Sequence, residues 1–221
     1  MAKLTWDGAG ERYYETGVSK VVLFPYDTAT NTYEKGVAWN GVTNITDSPE
    51  GADPNDLYAD NIKYASIRSA EKVNGSIEAY TYPDEWLPCD GISTPVNGVY
   101  FRQQERKPFG LCWRTEIGND VSETAGYKLH FIYGATASPS DQTHDTINDS
   151  PDAQTFSWDY DTTPVPVTGY KPLAKIEIDS RTANATKLAA LEATIYGDTT
   201  NDSTLPLPAA IVTALTPSGS T

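Results

Sequence analysis

The chain has 221 residues, with 30 acidic against 16 basic side chains and a formal charge of −14. That length suffices for one core of useful size or two small domains, and the negative balance disfavours tight nucleic-acid binding, which needs Lys and Arg clustered against phosphate. No run approaches the ~18 apolar residues of a membrane span, and fourteen Tyr, five Trp and five Phe are too many aromatics for a disordered chain.

Met1 to Trp6 carry no apolar stretch, so no export signal is expected. The only cysteines, Cys89 and Cys112, are then expected as reduced structural thiols. Residues 1–16 are polar and aromatic and read as an extended arm outside the core. Residues 18–24 form the first strong β segment, closed by Pro25. A turn near residues 28–32 joins it to a second segment at 33–39, giving a hairpin.

The stretch from Asn44 to Ala70 reads differently. Asp47-Ser48-Pro49-Glu50-Gly51-Ala52-Asp53-Pro54 interrupts any ladder, because Pro has no N–H to donate and Gly and Asp favour turns. A loop this long inside a compact domain is either functional or disordered. Its apolar residues Leu57, Tyr58, Ile62 and Tyr64 favour contact with another chain.

Period-two alternation follows. Ile77 and Ala79 oppose Glu78 and Tyr80. Leu111, Trp113, Thr115 and Ile117 oppose Cys112, Arg114 and Glu116. Tyr127, Leu129, Phe131 and Tyr133 oppose Lys128, His130 and Ile132. Phe156, Trp158 and Tyr160 repeat the pattern, as do Ala174, Ile176 and Ile178 against Lys175 and Glu177. Such alternation marks antiparallel strands with one buried face. Six or more of them, separated by Gly, Pro, Asn and Asp, predict a mainly β fold of two packed antiparallel sheets, a sandwich or barrel.

One flanking α-helix is expected over residues 184–196. Leu188, Leu191 and Ile195 make its apolar stripe, Thr182 or Asn184 its cap and Gly197 its stop. One domain over residues 1–205 and a flexible tail over 206–221 complete the reading.

Catalytic chemistry finds no foothold. His130 and His144 have no ligand spacing, and no nucleophile elbow, phosphate loop or dinucleotide fingerprint occurs. His130, on the polar face of its strand, reads as a solvated or sheet-surface histidine. The clusters Asp53/Asp56/Asp60 and Asn148/Asp149/Asp152 lack the ligand order of a calcium loop. No cofactor, metal or catalytic residue is therefore expected. The rival reading is a carbohydrate-binding β-sandwich that stacks sugars on Trp86, Trp113 and Tyr100.

Ordered phrases give a more specific indication. They include Leu4-Thr5-Trp6-Asp7, Tyr14-Glu15-Thr16-Gly17-Val18, Gly36-Val37-Ala38-Trp39-Asn40-Gly41 and Tyr58-Ala59-Asp60-Asn61-Ile62-Lys63-Tyr64. Glu78-Ala79-Tyr80-Thr81-Tyr82-Pro83-Asp84-Glu85, Arg106-Lys107-Pro108-Phe109-Gly110-Leu111-Cys112, Phe156-Ser157-Trp158 and Val167-Thr168-Gly169-Tyr170-Lys171-Pro172 continue the series. Leu205-Pro206-Leu207-Pro208 closes it. In succession they resemble the major tail proteins of long-tailed, non-contractile bacteriophages of Gram-positive hosts. The resemblance implies a structural virion protein that self-assembles in the host cytoplasm into stacked, six-membered rings. The resulting tail tube encloses the tape-measure protein, meets tail terminator and baseplate or distal tail proteins, and later conducts DNA.

The immunoglobulin-like C-terminal domain of some members of that family is not expected here. With this resemblance, the 44–70 segment becomes the candidate stacking loop, with Leu57, Tyr58 and Ile62 as inter-ring contacts. Glu78, Arg114, Glu116 and Lys128 become candidates for facing the lumen.

Overall fold

The computed structural model describes residues 4–51, 54–68, 71–144, 146 and 153–216. Thirteen strands form among them: β1 Tyr14–Asp27, β2 Thr32–Tyr33, β3 Val37–Ala38, β4 Val42–Glu50, β5 Asn55–Ala59, β6 Ile62–Ile67 and β7 Lys72–Ala79. Then come β8 Ser93–Val96, β9 Val99–Phe101, β10 Phe109–Gly118, β11 Gly126–Ala137, β12 Phe156–Thr162 and β13 Lys175–Asp179. Two α-helices close the chain, α1 Ala185–Tyr196 and α2 Pro208–Leu215. The fold is mainly β.

Nine strands make one antiparallel sheet in the order β2-β1-β10-β11-β12-β7-β4, with β3 also on β1 and β13 also on β11. Strand β11 pairs with β13 through Lys128–Ile132 and with β12 through Ala135–Ala137. The change of partner falls at Gly134, whose φ of +59° only glycine takes without strain. Bent there, the sheet folds back on itself. Val21 and Leu23 of β1 meet Ile77 of β7 and Trp158 of β12 in one inner cluster, so the two halves pack face to face in a sandwich-like arrangement.

The inner core is aromatic. Trp39, Trp86 and Trp158 lie within 4.7–5.6 Å of one another, ring centre to ring centre, and Phe109 meets Trp86 edge-on at 4.9 Å. Tyr160 crosses the sheet above Gly75 to reach the carboxylate of Asp47 at 3.1 Å. A Cβ at residue 75 collides with the Thr46 carbonyl and the Tyr160 ring. Gly75→Ala is therefore expected to force β4, β7 and β12 apart, costing about 1–3 kcal/mol. Chemical denaturation checks the figure.

The central strands are covered on both sides. Val22, Phe24, Cys112, Leu129, Phe131 and Tyr133 form a second cluster under the helices, with Leu188, Leu191 and Ile195 of α1 and Ile211 of α2. Asn184 caps α1, its side chain accepting from the Lys187 N–H at 3.1 Å, and Gly197 ends it at φ +76°. Cys89 lies in the inner cluster and Cys112 in the outer one. Both thiols are free. Burial pushes Cys89 up to about 12 and raises Cys112 as well.

Five expectations are corrected. Strand β1 starts at Tyr14, inside the stretch read as an arm outside the core, where it pairs with β10, and runs through Pro25 to Asp27. The segment 44–70 is no loop: β4 continues through Pro49 to Glu50 along β7, and β5 and β6 form a hairpin. Pro49 is tolerated because β4 is an edge strand, where one side of the backbone needs no partner. Residues 208–215 are helical, with Pro208 at the first helical position, where its missing N–H costs nothing; there are thus two flanking helices, not one. His130 is 5% exposed, not solvated. Of the acidic clusters read from sequence, Asp53, Asn148, Asp149 and Asp152 lie outside the described residues. Among the described residues no group of three His, Cys, Asp or Glu is disposed to hold a metal ion.

Candidate assembly surface

The β5–β6 hairpin pairs with no other strand. Its turn is Asp60-Asn61, both left-handed at φ +50° and +62°, which is the type I′ geometry that closes a two-residue hairpin with the right twist. Pairing is Asn55 with Ile67, Asp56 with Ser66, Leu57 with Ala65, Tyr58 with Lys63 and Ala59 with Ile62, so Tyr64 is bulged out.

Strand alternation then sorts the side chains. Leu57, Ala59, Ile62, Ala65 and Ile67 share one face. Asp56, Tyr58, Lys63 and Ser66 share the other, where Lys63 and Asp56 form an ion pair at 2.7 Å. The apolar face is open to solvent: Leu57 is 40% exposed, Ile62 65% and Ile67 56%. Of the three contact residues expected from sequence, Leu57 and Ile62 are brought together. Tyr58, 70% exposed, points the other way. Ile67 completes the apolar face and was not singled out.

A second hairpin repeats the arrangement. Strands β8 and β9 join through Asn97-Gly98, and Val96, Val99, Tyr100 and Phe101 are all exposed. At the N-terminus Leu4 and Trp6 are exposed as well. The Asn-Gly of residues 97–98 and the Asp-Asn of residues 60–61 are the sequence signals that mark these hairpins.

The four residues expected to line a lumen do not form one wall. Glu78 alternates with the inward Ile77 and Ala79 and so faces outward from β7. Arg114 and Glu116 lie on the helix side of β10, ion-paired at 2.8 Å, with the Arg114 guanidinium 3.8 Å from the centre of the Tyr127 ring. Lys128 faces the opposite way, toward the inner core, where it binds Glu15 at 2.6 Å. Alternation places neighbouring positions of β10 and β11 on opposite faces, so Arg114 and Lys128 cannot share a surface.

Lys128 belongs instead to a polar cluster that ends the inner core. His130 stacks on Trp113 at 5.1 Å with rings nearly parallel. Its Nε2 lies 2.8 Å from the Thr115 hydroxyl and 3.3 Å from Glu15. Its Nδ1 lies 3.5 Å from Glu177 and has no hydrogen-bond partner. Lys175 bridges Glu177 at 2.7 Å and Asp47 at 2.6 Å. Burial holds His130 below its ordinary range, against the opposing pull of Glu177. Burial by itself would raise Glu15, but hydrogen bonds from Lys128 and Thr115 outweigh it and hold the carboxyl low. Glu177 is held low chiefly by the Lys175 hydrogen bond.

The aromatic platform of the carbohydrate-binding rival is not available. Trp86 and Trp113 are 1% and 3% exposed and belong to the inner core; only Tyr100 faces solvent. Large flat side chains pack best in an inner core, and period-two alternation cannot tell which face is the inner one. No helix among the described residues is long and apolar enough to cross a membrane. No protein-family model matches the sequence, and no curated protein is similar to it.

Proposed function

We propose that this chain is the structural subunit of a bacteriophage tail tube, which works by assembling with copies of itself. The observation that carries the reading is the β5–β6 hairpin, a two-stranded sheet that holds Leu57, Ile62 and Ile67 out in water on one face. An isolated hairpin is marginal by itself, and an apolar face held away from the core marks a contact with another molecule. The succession of phrases from Leu4 to Pro208 that resembles tail-tube proteins supports a second copy as that molecule. Identical subunits joined head to tail through such a contact generate stacks and tubes.

In this reading the rings are six-membered, the tube belongs to the virion, and the tape-measure protein occupies its bore until DNA passes. A net charge of −14 suits a conduit that must let DNA through without adhesion. Purified protein, concentrated and viewed by negative-stain electron microscopy, is expected to form rings or tubes without added ligand. A monomer that stays dispersed at every concentration, and that binds glycans on an array, would overturn the proposal.

A further inference from the structure

The polar cluster at the end of the inner core does more than fill space, because one of its members belongs to the chain's N-terminal segment. Residues 14–16 form a short ladder on β10, Tyr14 with Gly118, Glu15 with Ile117 and Thr16 with Glu116. The register then slips between Thr16 and Ser19. Inside that slip Gly17 takes φ +74°, with nothing within 4 Å of where a side chain would be. Ahead of the ladder, the Gly10 N–H donates to Asp120 at 3.0 Å and the Asn119 amide donates to the Gly10 carbonyl at 2.9 Å. The four residues Tyr14 to Gly17 are all exposed. Their side-chain hold on the inner cluster is Glu15 alone: it accepts from the Thr115 hydroxyl at 2.5 Å and from Lys128 at 2.6 Å, and lies 3.3 Å from His130.

We infer that Glu15 is a proton-sensitive latch that holds residues 4–16 on the sheet, with Gly17 as its hinge, and that acid opens it. The charged groups of the cluster come from four strands: Glu15 of β1, Asp47 of β4, Lys128 of β11, and Lys175, Glu177 and, opposite Lys128, Asp179 of β13. Because the Thr115 hydroxyl donates to Glu15, the Nε2–H of neutral His130 donates to Thr115, leaving Nδ1 bare toward Glu177. The latched state therefore needs Glu15 charged.

Glu15 is held below its free value of 4.5, so its hold is complete above 4.5 and is lost as pH falls through the lower, latched value. Protection of the segment should thus be full above pH 4.5 and collapse below it. The device does not rest on the assembly reading, since every group in it belongs to one chain.

Hydrogen exchange followed by mass spectrometry, corrected for intrinsic rates, tests it from pH 7.5 to 3.5 on the full chain. In the parent protein, protection of residues 14–16 is expected to fall about ten-fold or more as Glu15 takes up its proton, while residues 129–133 stay protected. Glu15→Gln should show the opened level already at pH 7.5. His130→Gln, which leaves the Thr115 and Lys128 hydrogen bonds to Glu15 in place, should keep the step below pH 4.5. Flat protection to pH 3.5, a Glu15→Gln segment as protected as the parent's, or loss only in step with residues 129–133 would each overturn the latch.

Discussion

Trp158→Ala is expected to cost the fold roughly 3–5 kcal/mol, the range for deleting a buried large aromatic. Trp158 is 2% exposed and sits where the two halves of the sheet meet. It touches Trp39 at 5.6 Å, Trp86 at 5.4 Å, Tyr82 at 5.5 Å and Phe156 at 5.7 Å, ring centre to ring centre. No neighbour can fill the space, because the surrounding rings are held by one another. The loss therefore includes both the transfer of the indole and the cavity left behind. For a chain of this length a penalty of that size lowers Tm by about 10 °C, readable by differential scanning calorimetry.

Trp6→Ala makes the control: Trp6 is 76% exposed, so its loss should move stability by less than about 0.5 kcal/mol. The pair also separates core aromatics from surface ones, a distinction on which the carbohydrate-binding reading depended. If Trp158→Ala melted with the parent protein, the face-to-face packing of the two halves would be wrong.

The contrast between these two tryptophans shows what was legible in the sequence. Composition and alternation announce a β fold, and they place β7, β12 and β13 well, because each of those strands has one wetter face. Helix α1 was legible for a similar reason: Leu188, Leu191 and Ile195 keep a strict spacing between Asn184 and Gly197. The strands β1, β10 and β11 were found too, but not their environment. They are buried on both faces, one by the opposing half-sheet and one by the helices, so a polar residue such as His130 on the apparent wet face ends up inside.

Two of the errors fall where a proline was read as a stop, and a third put Pro208 in a flexible tail. Pro25 and Pro49 lie within strands, and Pro208 starts a helix. A proline's meaning depends on which side of the backbone has a neighbour, and that is set by tertiary structure. The candidate assembly face was half legible. Leu57 and Ile62 stand out as apolar residues among polar ones, but which of their neighbours share their face depends on the bulge at Tyr64, and no periodicity predicts a bulge.

That bulge decides the most demanding test of the proposed function. Leu57→Asp combined with Ile62→Asp is expected to abolish tube formation while leaving the subunit folded. Both residues are solvent-exposed in the single chain, so the substitutions should shift its melting by little. In a stack the same face is covered, and each carboxylate would be stripped of water without a partner, which carries a heavy penalty. A loss of about 3 kcal/mol per contact raises the concentration needed for assembly on the order of 100-fold. Because the contact recurs at every subunit of every ring, no ring escapes it.

Tyr58→Asp provides the directional control. It places the same charge one residue away on the opposite face, beside the Lys63 and Asp56 pair, and should interfere far less. Sedimentation of concentrated protein, with negative-stain images of the pellet, reads both variants on one scale. Tubes of parental length from the Leu57/Ile62 variant would remove this hairpin from the assembly contact. Equal damage from Tyr58→Asp would mean that the hairpin is gripped from both sides, and that its amphipathic sorting does not choose the partner surface.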